Sequence, residues 1–400
     1  MSTPRNATDR SALRAIALLA LAGFASQSMV RVTDSLLPQI AGDFGITVGA
    51  AAVAIWAYAL AHGSVQLVIG PVGDRFGKFA CVAVATGAAA ALVALCGLST
   101  SLPQLVIARL ACGFAAGWVI PLGMAFLGDV VPYQNRQRVL GRFLSGQILG
   151  QLFGQAAGGV LGDWFGWRNV FFVLAALFAI ASIALWIEFA RNPVTRASHA
   201  LATRSRGFIT DYRTVLRSPW ARTVILYGFL ENGMMFGAFA YVGAYLHLRF
   251  GLSLSFVGLL VGAFAVGGLI YSLSVGALIA RLGQARFAIG GGVLLAIGFI
   301  TLALTPVWQT TPLSVVLIGF GFYMLHNTLQ TNITEATPEA RGTAVAIFSA
   351  AIYYGQMLFV SISAWVFDRH GGQAVFIATG LLLVATGVMY ARVLRARAAN

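Results

Sequence analysis

Long apolar blocks alternate with short polar links along the whole chain. A membrane-spanning helix needs roughly 20 mostly apolar residues, and the blocks meet that length repeatedly. The predicted spans are 13–40, 49–70, 79–98, 103–130, 138–162, 168–189, 220–247, 253–280, 286–305, 312–335, 341–367 and 372–391. The first block follows Arg5, Arg10 and Arg14, as a signal peptide would. Its apolar character continues to Pro38 and many spans follow, so it reads as an uncleaved first span. No stretch is left for a soluble enzyme domain.

Composition points the same way. The apolar set makes up 59% of the chain and charged residues only 10%, against about 25% charge in a soluble domain. The net charge of +14 does not indicate nucleic acid, because the arginines sit in short links and no basic helix carries interleaved aromatics. Their placement sets topology instead. With a cytoplasmic N-terminus, 21 Lys and Arg fall in cytoplasmic segments and three, Arg168, Arg249 and Arg369, fall outside. That asymmetry puts both termini in the cytoplasm. Lys78 is the sole lysine, and the bias to Arg hints at a GC-rich bacterial genome; the expected location is a bacterial inner membrane. Cys81, Cys96 and Cys112 lie in apolar runs without metal-ligand spacing. No nucleophile–base set, metal cluster or phosphate-cradling loop is present, so neither an enzyme nor a bound cofactor is expected.

The longest link, 190–219, carries Arg191, Arg196, Arg204, Arg206, Arg213 and Arg217 and divides the chain in the middle. A basic amphipathic segment resting on anionic lipid is expected there. The halves repeat. Gly70, Arg75 and Gly77 recur as Gly276, Arg281 and Gly283, and Asp129 with Pro132 recurs as Glu335 with Pro338, all 206 residues apart. The predicted architecture is an all-α membrane protein with 12 transmembrane helices: a six-helix bundle over 1–189, a basic linker over 190–219 and a second, pseudo-symmetric six-helix bundle over 220–400. Transporters with parallel halves hold their solute between the halves near the bilayer midplane.

Motifs now carry a resemblance to the major facilitator superfamily over essentially the whole length. The link Gly70-Pro71-Val72-Gly73-Asp74-Arg75-Phe76-Gly77-Lys78 matches that family's pattern between spans 2 and 3. The resemblance implies a cytoplasmic gate of Asp74, Arg75 and Lys78, with Asp129 and Arg136 joining by position, in which Asp74 pairs with a cation across the interface between halves. Arg109 followed by Gly113 and Gly117 resembles the family's second motif, whose arginine is linked to proton coupling. In span 5, Gly146, Gly150, Gly154 and Gly158 resemble the antiporter motif of drug exporters, with Gln155 where that motif has Pro. Trp167-Arg168 followed by Phe171-Phe172 is also similar to these exporters. Glycines every four residues form a smooth ridge for close helix packing. A monomer in the bilayer is what the family implies.

Charges inside apolar helices are costly and mark functional sites. Span 1 places Gln27, Arg31 and Asp34 on one helix face by their spacing of four and three. Asp34 is expected to interact with Arg31, Arg109 or both. Span 7 places Glu231 next to Asn232, roughly 16 Å from the start of the helix. His62 in span 2, and His326 and Asn327 in span 10, are expected to line the cavity, with Gln330 and Gln356 extending it. Trp56, Tyr58, Trp118, Phe236 and Tyr241 are candidate cargo contacts. The resulting expectation is a secondary transporter working by alternating access, with a small solute and protons as partners: proton-coupled efflux of a lipophilic or amphipathic compound. Two alternatives are transport of an anionic metabolite held by Arg31 and Arg109, and a non-transporting membrane sensor.

Overall fold

A computed structural model describes residues 4–131, 133–197 and 207–399, with the side chains of 4–10, 132–138, 197, 208 and 399 outside the described residues. Lipid offers no partner for backbone N–H and C=O groups, so the apolar blocks close their hydrogen bonds internally as helices. Nine stretches among the described residues are long and apolar enough to cross a membrane. Two of them, Leu254–Leu304 and Pro338–Ala398, each hold two crossings, broken at Gly283 (φ 70°) and Gly371 (φ 78°). The 33-residue helix Tyr133–Phe165 adds another. The result is twelve crossings with both termini on one face, called here the terminal face.

In the first half these are span 1 (Pro4–Phe44), span 2 (Val48–Ala51, Val53–Gln66 and Ile69–Phe76), span 3 (Lys78–Gly97), span 4 (Leu102–Ala116 and Val119–Val130), span 5 (Tyr133–Phe165) and span 6 (Trp167–Arg191). In the second half, span 7 is Pro219–Phe239 with Val242–Phe250, and span 8 begins at Leu254–Gly262. The helix Phe264–Leu304 completes span 8 and, after Gly283, forms span 9. Span 10 is Thr311–Ala336, and Arg341–Ala399 supplies spans 11 and 12 on either side of Gly371. Left-handed glycines expose the duplication in the backbone. Gly45 (φ 62°) and Gly251 (φ 64°) stand 206 residues apart, as do Gly77 (φ 88°) and Gly283.

The glycine ridge of span 5 meets span 1 one helical turn at a time. A side chain at Gly146, Gly150, Gly154 or Gly158 would strike span 1 at Ala20, Phe24, Ser28 or Val32 respectively. The close approach lets Ser28 Oγ donate to Gly150 O (3.0 Å), Ser35 Oγ to Gln155 O (3.0 Å) and Gln39 Nε2 to Gly162 O (2.7 Å). Gly113 and Gly117 serve span 4 in the same way, against Tyr58 and Val65 of span 2.

Proline leaves carbonyls that other elements claim. Pro121 has no N–H for the carbonyl four residues earlier; Gln66 Nε2 donates to that Gly117 carbonyl at 3.2 Å. Pro71 does the same to Leu67, whose carbonyl accepts from the Tyr212 hydroxyl at 2.6 Å. Tyr212 lies on the linker helix Phe208–Arg217, and burial raises its phenol pKa, which keeps it a donor. Thus one face of the linker helix packs on protein, with Val215 fully buried, while Ile209 and Leu216 remain exposed. Arg204 and Arg206 lie outside the described residues. The segment carrying Asp74 and Arg75, expected as a loop, is helical over Ile69–Phe76 and turns only at Gly77. Pro71 sits in the first turn of that short helix, where its missing N–H costs little.

The halves meet tightly at the face opposite the termini. Asp368, ending span 11, accepts from Thr47 Oγ1 (2.6 Å) and Gly49 N (3.0 Å) at the start of span 2. Asp163, ending span 5, accepts from Ser255 Oγ (2.7 Å) and Ser255 N (3.2 Å) at the start of span 8. These are pseudo-symmetric copies of one device, a carboxylate on the positive end of a helix in the other half. Below them Gly159 and Gly258 bring spans 5 and 8 into main-chain contact, and Gly63 abuts Tyr353 between spans 2 and 11. One apolar core runs through both halves, whereas the terminal ends of spans 1–6 form a separate cluster around Phe79, Phe126 and Phe143. The halves therefore part toward the terminal face.

Candidate functional site

That parting encloses a cavity of about 410 Å³ between spans 1 and 5 on one side and spans 7, 8, 10 and 11 on the other. His326 on its wall lies ten residues before Ala336, the end of span 10, or about 15 Å from the terminal face at 1.5 Å per residue. Gln330, the wall residue of span 10 nearest its terminal end, is exposed, and the halves part on that side, so the cavity opens toward the terminal face. The two walls differ. Spans 1 and 5 present the amides Gln27, Gln147 and Gln151 and no aromatic ring; the other half presents Phe236, Tyr271, Phe322, Tyr323 and Tyr353 together with the amides Asn232, Asn327, Gln330 and Gln356. Tyr271 and Tyr323 are stacked, with planes 24° apart, and Phe322 stacks on His326 at 4.8 Å.

At the deep end a polar chain crosses from one half to the other. Arg31 NH1 lies 3.6 Å from Asp34 Oδ2, and Arg31 NH2 donates to Gln356 Oε1 at 3.4 Å. Gln356 Nε2 donates to Asn232 Oδ1 at 2.6 Å. The Arg31 guanidinium is roofed by the Phe236 ring at 3.5 Å. Neither Asp34 oxygen has a hydrogen-bond partner among the described residues. Next to Asn232, Glu231 is fully buried; its Oε2 lies 3.1 Å from His326 Nδ1 and its Oε1 is unpartnered. Each buried acid thus has one base within 4 Å among the described residues, and each sits one side-chain layer behind the cavity wall.

The expected residues separate into three groups. Gln27, Arg31, His326, Asn327, Gln330 and Gln356 line the cavity, as does Phe236. Asp34 and Glu231 back it through Arg31 and His326. His62 does not line it, contrary to expectation: it is 3% exposed and held between Tyr58 and Tyr353, 4.3 Å from the latter ring. Helix rotation puts Tyr353 on the wall and His62 behind it. Arg109 makes no ion pair with Asp34 among the described residues. Its Nε donates to Ala54 O (3.0 Å), its NH1 to Met29 O (3.3 Å), and its guanidinium lies over the Tyr58 ring at 4.3 Å. It clamps spans 1, 2 and 4 together. Trp118 lies on a separate apolar groove between spans 3 and 4, and Tyr241 is buried with its hydroxyl on Val360 O.

On the terminal face, Lys78 bridges Asp129 (2.6 Å) and Asp74 (3.4 Å). These pairs lie within the first half, not across the interface; with the halves parted there, Asp74 faces Lys78 at the start of span 3 instead. The side chain of Arg136 lies outside the described residues. Sequence reasoning missed Tyr271, Tyr323, Gln147 and Gln151. The last two carried a signal: an i, i+4 amide pair one position past the glycine ridge, which helical rotation turns from span 1 toward the cavity.

Twelve crossings in two equivalent bundles around a central polar cavity are the architecture of a membrane transporter. The Major Facilitator Superfamily model matches residues 19–338 and 232–400. The chain belongs to that superfamily. It is 26% identical over 366 residues to the MFS-type transporter YceJ of Bacillus subtilis, covering 89% of this chain and 90% of the relative. It is 25% identical over 375 residues to the chloramphenicol resistance protein of Streptomyces lividans, covering 94% of each. Among solved structures, a variant of the nucleoside transporter NupG superposes with a TM-score of 0.78 at 14% identity, covering 95% of this chain and 98% of that one.

Proposed function

We propose that this protein is a proton-coupled secondary transporter that exports a lipophilic or amphipathic compound across a bacterial inner membrane by alternating access. The observation that carries the reading is the pair of buried acids, Asp34 and Glu231, each with one base and set directly behind the cavity wall. Lys and Arg concentrate in the links of the terminal face, which makes that face cytoplasmic. The cavity then faces the cytoplasm, where cargo enters. The two halves rock, the Asp163 and Asp368 contacts release, and the site faces outward. A proton arriving from outside neutralises a buried carboxylate, cargo leaves, and the protonated form returns and gives its proton to the cytoplasm as the next cargo binds.

The chloramphenicol resistance relative makes chloramphenicol a reasonable first cargo. An anionic metabolite fits less well, because Arg31 is already paired with Asp34 and covered by Phe236. The protein is expected to work as a monomer, with no cofactor beyond the proton gradient. The test is uphill flux in proteoliposomes under an imposed pH gradient. Wild type accumulates cargo and Glu231→Gln loses gradient-driven flux by about 100-fold, the scale of a lost proton-transfer group, while still inserting. Equal gradient-driven flux in the variant contradicts the coupling role of Glu231.

A further inference from the structure

We infer that the cavity takes an uncharged, flat aromatic solute bearing hydroxyl or amide groups, and that it rejects organic cations. The inference rests on the transporter reading and names the cargo chemistry of that same site. Of the 20 residues lining the cavity, seven carry a carboxamide, one a guanidinium and none a carboxylate. An organic cation therefore meets no counter-charge on the described wall.

The acids behind the wall do not supply one either. Asp34 is matched by Arg31 at 3.6 Å. An ionised Glu231 beside a neutral His326 would leave Oε1 charged, buried and without a partner, the most costly arrangement available. Of the three other arrangements, acid with imidazole and carboxylate with imidazolium carry no net charge, and acid with imidazolium is positive. With Asp34 ionised Arg31 is offset while the buried Arg109, which also acts on Asp34, keeps the balance from turning negative; with Asp34 protonated the uncovered Arg31 adds positive charge. No cheap protonation state makes it negative.

Anions fare poorly while Asp34 is ionised. Arg31 is ion-paired with Asp34 at 3.6 Å, its NH2 donates to Gln356, its face lies under Phe236 and its Nε is buried. A carboxylate would have to displace these contacts to reach the guanidinium fork. The opposed walls instead suit a planar ring. One face of the ring stacks on the Tyr271–Tyr323 pair, while its polar substituents reach Gln27, Gln147 and Gln151 across the gap.

The test holds shape constant and varies charge. An N-aryl benzamide carrying a para hydroxymethyl, carboxylate or trimethylammonium group is titrated into the purified full-length protein in nanodiscs at neutral pH. The hydroxymethyl form is expected to bind at least about tenfold tighter than either charged form, because the ammonium is repelled by the guanidinium and the carboxylate would shed its water against an arginine already in contact with Asp34, Gln356 and Phe236. Gln330→Glu, at an exposed position on the wall, should shift preference toward the ammonium form. Asn327→Asp repeats the test if the first variant is poorly folded. Wild-type preference for the ammonium or carboxylate form, or binding of none, overturns the inference. Gradient-driven flux of the ammonium form would do so while leaving the transporter reading standing. Selective binding of the neutral form without any flux would overturn the transporter reading alone.

Discussion

Gly154→Leu should lose about 3 kcal/mol or more of stability, the upper range for overpacking plus lost interhelical hydrogen bonds. Any side chain at Gly154 runs into the main chain of Ser28, at its carbonyl. Neither partner is a flexible side-chain end, so spans 1 and 5 must separate. Separation also lengthens the bonds from Ser28 to Gly150, Ser35 to Gln155 and Gln39 to Gly162. Thermal unfolding in detergent reads the loss. Gly141→Ala in the same helix is the control: nothing lies within 4 Å of a Cβ there, so helix propensity should raise stability by up to about 1 kcal/mol. Equal effects at the two glycines would contradict the ridge.

Asp34→Asn should abolish the dependence of flux on the pH gradient and also destabilise the fold by about 3 kcal/mol, the lower end for stripping one partner from a buried pair. Arg31 and Asp34 are each 2% exposed, so the arginine left behind is a buried charge without its counter-ion. The double variant Arg31→Gln with Asp34→Asn separates the two effects. It removes the stranded charge and should recover most of the stability, but not the coupling. A double variant with gradient-driven flux restored would make Asp34 a structural partner of Arg31 and nothing more.

Much of the architecture was legible because lipid imposes simple rules on composition and length. Apolar blocks became spans, and the recurrence of Gly77 as Gly283 reappeared as two left-handed turns. The glycine ridge was legible as a packing face, but not its partner: Ala20, Phe24, Ser28 and Val32 carry no mark of meeting span 5. The cavity was legible only in part. Pairing of Glu231 with His326 depends on the rotation of spans 7 and 10 relative to each other, which residue types in lipid-bathed helices hardly constrain. The same ambiguity put His62 on the wall where Tyr353 belongs. Arg109 was recognised as exceptional, but two main-chain carbonyls cannot be foreseen from side-chain types. The Asp163 and Asp368 contacts went unread because both residues look like ordinary charged helix ends.

Alternating access around this cavity is tested most directly by labelling a single cysteine from the face opposite the termini. Gln27→Cys is placed in a background lacking Cys81, Cys96 and Cys112, and oriented vesicles are exposed to a membrane-impermeant thiol reagent on that face. The closed arrangement described above should label slowly; removing the clamps with Asp163→Asn and Asp368→Asn should speed labelling several-fold, and a proton gradient should change the rate again. If residue 27 stays unreactive from that face under every condition, while reacting freely from the terminal face, the cavity is a blind pocket and the carrier mechanism is wrong.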